Sequence, residues 1–275
     1  MTNRSEGAAS TGEWQDESLI DRHVELPLPD RSLHPVGRSV RGSAWRQVVL
    51  LRHYGLGTDT RLLEIGCGIG RLAYELGIRS LGIGPHPVLT AGHYDGFDIS
   101  KRAITWLNQN YAPVLRNFSF THLDIANARY NPSGTDGATT THFPFADASY
   151  DMVCAFSVFT HMVSEEIQRY LAETRRVLAP GGRAVVTVFA IGTSDTDPAS
   201  EQGKPFVRLP EPGLWTIDPQ LPERGVGQDE AMLRGWFGAA GFDVVDRVVG
   251  RWHEVQHVDE SHPRYSQDAF VLTHA

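Results

Sequence analysis

The residues able to do chemistry gather where apolar runs end. The run Leu62-Leu63-Glu64-Ile65 reads as a buried strand and stops in a turn with glycine at 66, 68 and 70. Glycine is needed where the backbone turns sharply and lets a ligand come close. A turn of this kind opens a nucleotide-binding crevice at the carboxyl end of a first strand. The spacing is not the G-x-G-x-x-G of dinucleotide sites, because the third glycine is Gly70 and Arg71 follows it. Glu64, inside the strand end, suits a ligand with an ammonium better than one with a pyrophosphate. Asp98 ends a second apolar run, Asp124 a third, and His161 stands shortly after a fourth. An imidazole titrates near neutrality and is suited to taking a proton from a hydroxyl.

The elements that must position these groups follow from periodicity. A short amphipathic helix over 43–54 feeds the first strand, 61–65, and a helix over 69–77 follows the glycine turn. A Gly- and Pro-rich loop, 77–92, precedes the second strand, 94–98, and Ser100 is placed to cap the next helix. Strands are predicted at 118–123 and 150–156, separated by a polar loop over 127–148. A helix starts near Ser164 and is stopped by Pro180-Gly181-Gly182, and a β-branched run, 183–190, makes the fifth strand. Six prolines over 192–222 interrupt any regular element, so this stretch is predicted as a lid-like insertion. One more amphipathic helix carries Met232, Leu233, Trp236 and Phe237, and the last strands are 242–249 and 268–273. Alternating strands and helices imply a doubly wound α/β, Rossmann-like fold. The expected sheet has seven mostly parallel strands and an antiparallel C-terminal hairpin at one edge. Residues 1–40 read as a flexible leader, with a possible substrate-side arm at 34–38, and 41–275 as one domain.

Composition bounds the function. The chain has 275 residues, 41% of them apolar and 21% charged, with a formal net charge of −8. That balance argues against bulk nucleic-acid binding, which needs a basic face. No stretch approaches the apolar length of a membrane span, and the polar, acidic N-terminus is unlike a secretory signal. The two cysteines, Cys67 and Cys154, fall at strand ends, which fits a reduced, cytoplasmic protein better than a disulfide framework.

Four blocks together resemble the class I S-adenosylmethionine-dependent methyltransferases. They are Glu64-Ile65-Gly66-Cys67-Gly68-Ile69-Gly70, Gly96-Phe97-Asp98-Ile99-Ser100, Leu123-Asp124-Ile125, and Phe143-Pro144-Phe145-Ala146-Asp147-Ala148-Ser149-Tyr150-Asp151 leading to Ser157-Val158-Phe159-Thr160-His161-Met162. The stretch Arg176-Val177-Leu178-Ala179-Pro180-Gly181-Gly182-Arg183 is similar to that family's approach to strand five. The resemblance implies S-adenosylmethionine as cofactor. Asp98, with Ile99 beside it, would then accept the ribose hydroxyls, and Gly66, Cys67, Gly68 and Gly70 would line the methionyl end. Glu64 would orient the turn or reach the ammonium through water. Arg71 would neutralise the cofactor carboxylate or be a solvated helix residue. Asp124 and Ile125 would bracket the adenine, and Phe156 and Ser157 would floor the methionyl chain. His161 would be the general base or merely hold its loop, with Asp147 and Asp151 as rival bases.

The resemblance extends to bacterial sugar and glycan O-methyltransferases, so the expected reaction is O-methylation of a sugar hydroxyl. Trp215, Trp236 and Trp252 are candidates to stack on a pyranose. A small-molecule (natural-product) methyltransferase and a non-catalytic cofactor-binding protein are the alternatives. A divalent metal such as Mg2+ is compatible with the family but has no ligand set here, since His253 and His257 fall in a predicted strand and loop. The expected partner is a sugar or small-molecule acceptor, without nucleic acid; a homodimer is one open possibility.

Overall fold

The computed structural model describes residues 26–29, 33, 44–82, 86–192, 205–250, 252 and 267–274. Helix α1 (Trp45–His53) leads into β1 (Arg61–Ile65), α2 (Arg71–Ser80), β2 (His93–Asp98), α3 (Lys101–Asn110) and β3 (Phe118–His122). Then come β4 (Tyr150–Ala155), α4 (Ser164–Val177) and β5 (Leu178–Ile191). Strands β6 (Val207–Arg208), β7 (Leu214–Thr216) and β8 (Val226–Asp229) precede α5 (Glu230–Ala239), β9 (Phe242–Val248) and β10 (Asp268–His274).

The main sheet runs β3-β2-β1-β4-β5 with parallel pairing, then β10 antiparallel to both β5 and β9. These are the seven expected strands, and the last two pair antiparallel as expected. Among the described residues the sheet as a whole has ten strands. The surplus corrects the reading of 192–222 as irregular throughout. Strand β4 pairs with β5 only as far as Val186 and β10 only as far as Val188, so Phe189–Ile191 run on past both strands, with the Ala190 N–H taken by Asp268 Oδ2 at 3.0 Å. Strand β8 pairs with this overhang in parallel, and β7 and β6 add to it antiparallel. Buried backbone polar groups must be paired, so the overhang of β5 explains the annex. The β6–β7 turn holds Pro210, Pro212 and Gly213 at φ 73°, which is why the sequence reads as broken there.

Two apolar clusters lie on the two faces of the sheet. One joins α1, α2 and α3 to the sheet through Leu51, Leu72, Leu76 and Leu107; the other joins α4 and α5 through Ile167, Leu171, Leu233 and Phe237. Both faces of the central strands are therefore covered, as a parallel sheet requires. Helix α2 runs on to Ser80, past the predicted end, and the loop beyond it buries Val88 and Leu89. The leader also needs correction where it is described. Leu26 is buried in the first cluster, and Leu33 packs against it. The arm at 34–38, residues 193–204, His253 and His257 lie outside the described residues.

Candidate functional site

At the carboxyl ends of β1, β2 and β4 lies a cleft of about 480 Å3. It brings together Glu64, Gly66, Cys67, Gly68, Arg71, Asp98, Ile99, Phe156, Ser157 and His161 from the predicted set. The glycine turn forms its floor. Gly66 has φ 71°, and a Cβ there would lie 2.5 Å from Val158 Cγ2. Gly68 has φ 54°, and its N–H donates to Asp98 Oδ2 at 2.7 Å. Asp98 Oδ1 accepts the Ser100 N–H at 2.7 Å. The two donors fix the carboxyl plane between the turn and the start of α3, and each oxygen keeps a lone pair for another donor. Burial pushes the Asp98 pKa up, and the backbone N–H donors of Ser100 and Gly68 oppose it. Gly70 caps α2 from behind and does not line the cleft.

Glu64 is buried, and the Tyr94 hydroxyl donates to its Oε2. Burial raises its pKa to about 8, although the Tyr94 bond and the charge of Arg71 pull it down. The folded pKa thus stands above the ordinary carboxyl value. Its stabilising contribution is complete below the unfolded pKa, near 4.5, and is lost as pH rises through about 8. Glu64→Gln is therefore expected to raise the melting temperature at pH 8 to 9 and to flatten its fall between about pH 4.5 and 8. Thermal melts of both proteins from pH 4 to 9 check this; parallel curves would mean that Glu64 is ionised in the fold.

The other wall is built by the chain after β4. Ser157 adopts φ 57°, an uncommon conformation for a residue with a side chain. It is held by its N–H to Thr187 Oγ1 at 2.7 Å and its hydroxyl to Gln267 at 3.0 Å. A 3-10 turn, Phe159–His161, then carries His161 into the cleft. Its Nδ1 lies 2.7 Å from the Glu223 carbonyl, so Nδ1 bears the proton and donates. That tautomer leaves Nε2 as an acceptor, 3.2 Å from the Tyr130 hydroxyl. Burial lowers the His161 pKa to about 4; the Glu223 carbonyl opposes this and the charge of Arg129 adds to it. The expectation of a base titrating near neutrality is corrected accordingly.

Tyr130, Asn127 and Arg129 line this end of the cleft, as do Ile217, Arg224 and Gly225 from the segment before β8. None was singled out from the sequence. The polar stretch holding Tyr130 gave one usable signal, an aromatic between two asparagines. Asn127 Oδ1 accepts the N–H groups of Arg129 and Tyr130, at 3.1 and 3.0 Å, and so shapes that loop.

Several expected site residues stand elsewhere. Asp124 does not line the cleft; its oxygens accept from Asn131 Nδ2 at 3.0 Å and Thr135 Oγ1 at 3.2 Å. Those two bonds, the Asn131 bond foremost, hold its pKa below the usual range. Ile125 is buried in the second core cluster. The pair braces the loop after β3, with Asn131 also bonding the Ile125 carbonyl at 3.0 Å. Trp252 is buried against Phe189 and Phe206, and its Nε1 donates to Asp268 at 2.8 Å. Trp215 stacks with Arg208, and Trp236 packs on the core. Among the described residues no tryptophan lines the cleft. Asp151 pairs with Arg61 at the opposite strand ends, and Asp147 pairs with Arg176 at the surface, so neither rivals His161. Among the described residues no group of three or more His, Cys, Asp or Glu could hold a metal ion. Among them, too, no helix is long and apolar enough to cross a membrane.

A parallel sheet with a glycine turn after β1, an acid at the tip of β2 and a cleft over β4 defines the Rossmann-like methyltransferase architecture. Residues 63–186 match the protein family described as a methyltransferase domain. The chain is similar to methyltransferase GfsG of Streptomyces halstedii, 31% identical over 156 residues, covering 52% of each protein. It is also similar to the highly reducing polyketide synthase NEC1 of Pyricularia oryzae, 27% identical over 201 residues, covering 73% of this chain and 6% of that one. The chain thus spans about half of the first curated relative and a small part of the second. Among solved structures, a SAM-dependent methyltransferase from Methanosarcina mazei superposes with TM-score 0.50 at 19% identity, over 81% of this chain and 95% of that one. The cleft suits S-adenosylmethionine: a buried carboxyl with open lone pairs, a turn where a Cβ would intrude, and Arg71 beside Glu64.

Proposed function

We propose that the chain is an S-adenosylmethionine-dependent O-methyltransferase acting on a hydroxyl of a small molecule of natural-product type. The observation that carries this reading is that one cleft joins Asp98 and the glycine turn to His161 and Tyr130. When bound, the cofactor supplies an electrophilic methyl group on a sulfonium. The chain's own residues do the rest. Asp98 accepts the ribose hydroxyls with its remaining lone pairs, and the turn with Arg71 receives the amino-acid end. Phe156 and Ser157 floor the space between the two halves. His161, held by Glu223, presents Nε2 as the proton acceptor. An acceptor hydroxyl either replaces the Tyr130 phenol at Nε2 or passes its proton through it. Alignment supplies most of the rate, and the base adds to it.

The sugar reading rests on a resemblance, with Trp215, Trp236 and Trp252 as candidate stacking faces, and none of these three lines the cleft. The aromatic groups that do are Tyr130, Tyr170, Phe97, Phe156 and Phe189, an apolar set suited to a flatter or longer carbon skeleton. The likeness to GfsG and to a polyketide synthase points the same way. The test is methyl transfer from 13C-methyl S-adenosylmethionine to a panel of hydroxylated polyketide-like compounds and mono- and oligosaccharides. An O–CH3 carbon resonance in a polyketide-like product is the expected result. A C–CH3 resonance would discard oxygen as the nucleophile, and transfer only to saccharides would restore the sugar reading.

A further inference from the structure

The cleft has a cationic end that the transfer reaction does not use. Arg129 and Arg224 both line it. Arg129 is built in rather than loosely exposed. Its loop is pinned by Asn127 Oδ1 and by backbone bonds exchanged between Asn127 and Asn131 at 3.1 and 3.0 Å. Its guanidinium lies 5.2 Å from the centre of the Tyr130 ring, and Nη1 donates to the Arg224 carbonyl at 3.4 Å. Among the described residues no carboxylate is paired with it. Among the described residues the Arg224 guanidinium pairs with Asp218 alone, at 3.2 Å, and is about half exposed, at 47%. Neither acid of the cleft is paired with these guanidiniums. Asp98 is engaged by the backbone of Gly68 and Ser100, and Glu64 is bound by Tyr94. Thr160, fully buried, lines the same cleft, and its hydroxyl has no partner among the described residues. All this stands in a chain of net charge −8.

We propose that the acceptor carries an anionic group, a carboxylate or a phosphate ester, which seats on Arg129 with Arg224 and presents a neighbouring hydroxyl to Tyr130 and His161. A planar guanidinium without a carboxylate partner matches either anion in two parallel hydrogen bonds. The residue next to Arg129 touches His161, so an anchored anion fixes the distance from the reacting hydroxyl. The proposal rests on reading the cleft as a methyl-transfer site.

The test uses the full chain saturated with S-adenosylhomocysteine. Inorganic phosphate and acetate are titrated separately at constant ionic strength against chloride, with melting temperature and calorimetry as readouts. A saturable response to at least one anion is expected, and which one responds identifies the source. Arg129→Gln should weaken that response by ~10-fold or more, the loss expected for a hydrogen bond to a charged partner. Arg224→Gln should weaken it less, and both should keep S-adenosylhomocysteine affinity. Arg129→Lys, which keeps the charge but loses the fork, serves if the Gln variant fails to fold, and should fall between. No response, or equal responses in wild type and Arg129→Gln, would overturn the proposal. So would an equal loss of S-adenosylhomocysteine affinity, which would assign Arg129 to the cofactor. Failure of the wild type to bind S-adenosylhomocysteine would instead remove the methyltransferase reading itself.

Discussion

Asp98→Ala is expected to lower S-adenosylhomocysteine affinity at least ~10-fold, because it removes two acceptors whose bonds are worth ~1.5–3 kcal/mol each. The same substitution should also loosen the site before any ligand arrives. Asp98 accepts the N–H groups of Gly68 and Ser100, and without it both donors lose their partner. Alanine therefore conflates two losses, and Asp98→Asn separates them. The amide keeps one oxygen, for Gly68 or Ser100, but gives up the charge and half of the acceptors. Calorimetry on both variants, with melting temperatures alongside, resolves the two contributions. An unchanged dissociation constant in Asp98→Ala would remove the ribose assignment. A large loss in alanine with almost none in asparagine would make Asp98 a strut of the turn rather than a ligand for ribose.

Much of this fold can be read in the sequence because the decisive signals are local. A glycine needed at positive φ, as at Gly66 and Gly68, announces a turn wherever it stands, and Ser100 caps α3 through Ala103 as its position implies. What could not be read depends on neighbours distant in the chain. The β6–β8 annex exists because β5 outruns both β4 and β10, and the length of that overhang belongs to strands far apart in the chain. Tyr130 matters because its hydroxyl meets a histidine thirty-one residues away. Asp124 stands at a strand end as the motif demands, yet Asn131 and Thr135 fold back and take its oxygens. Trp252 offered a stacking face by type, and Asp268 with two phenylalanines absorbs it. Residue type alone gives an imidazole its ordinary pKa, whereas burial and the charge of Arg129 move it. The residues that hold a backbone shape were legible, and those that meet only through tertiary packing were not.

His161→Ala is expected to keep cofactor affinity while turnover falls by ~10²-fold or more, the lower range for loss of a positioned base. The lower range fits because a pKa of about 4 makes His161 a weak base, though one that is neutral and ready over almost all of the working range. The acid limb of kcat/KM should therefore lie near pH 4 rather than near the ordinary imidazole value. Stability moves with the same group. Its folded pKa is depressed, so its contribution is present above the unfolded pKa of 6.5 and is lost as pH falls through about 4. The melting temperature of the wild type should decline over that window, and that of His161→Gln should decline less. Tyr130→Phe sharpens the argument, since it removes the hydroxyl at Nε2 and leaves the ring. If Tyr130 passes the proton, this variant loses turnover nearly as severely as His161→Ala. If the acceptor reaches Nε2 directly, turnover survives while KM shifts. The decisive measurement is turnover against pH for the wild type and both variants. An acid limb near 6.5, or near-normal turnover in His161→Ala, would take the base assignment away from this residue.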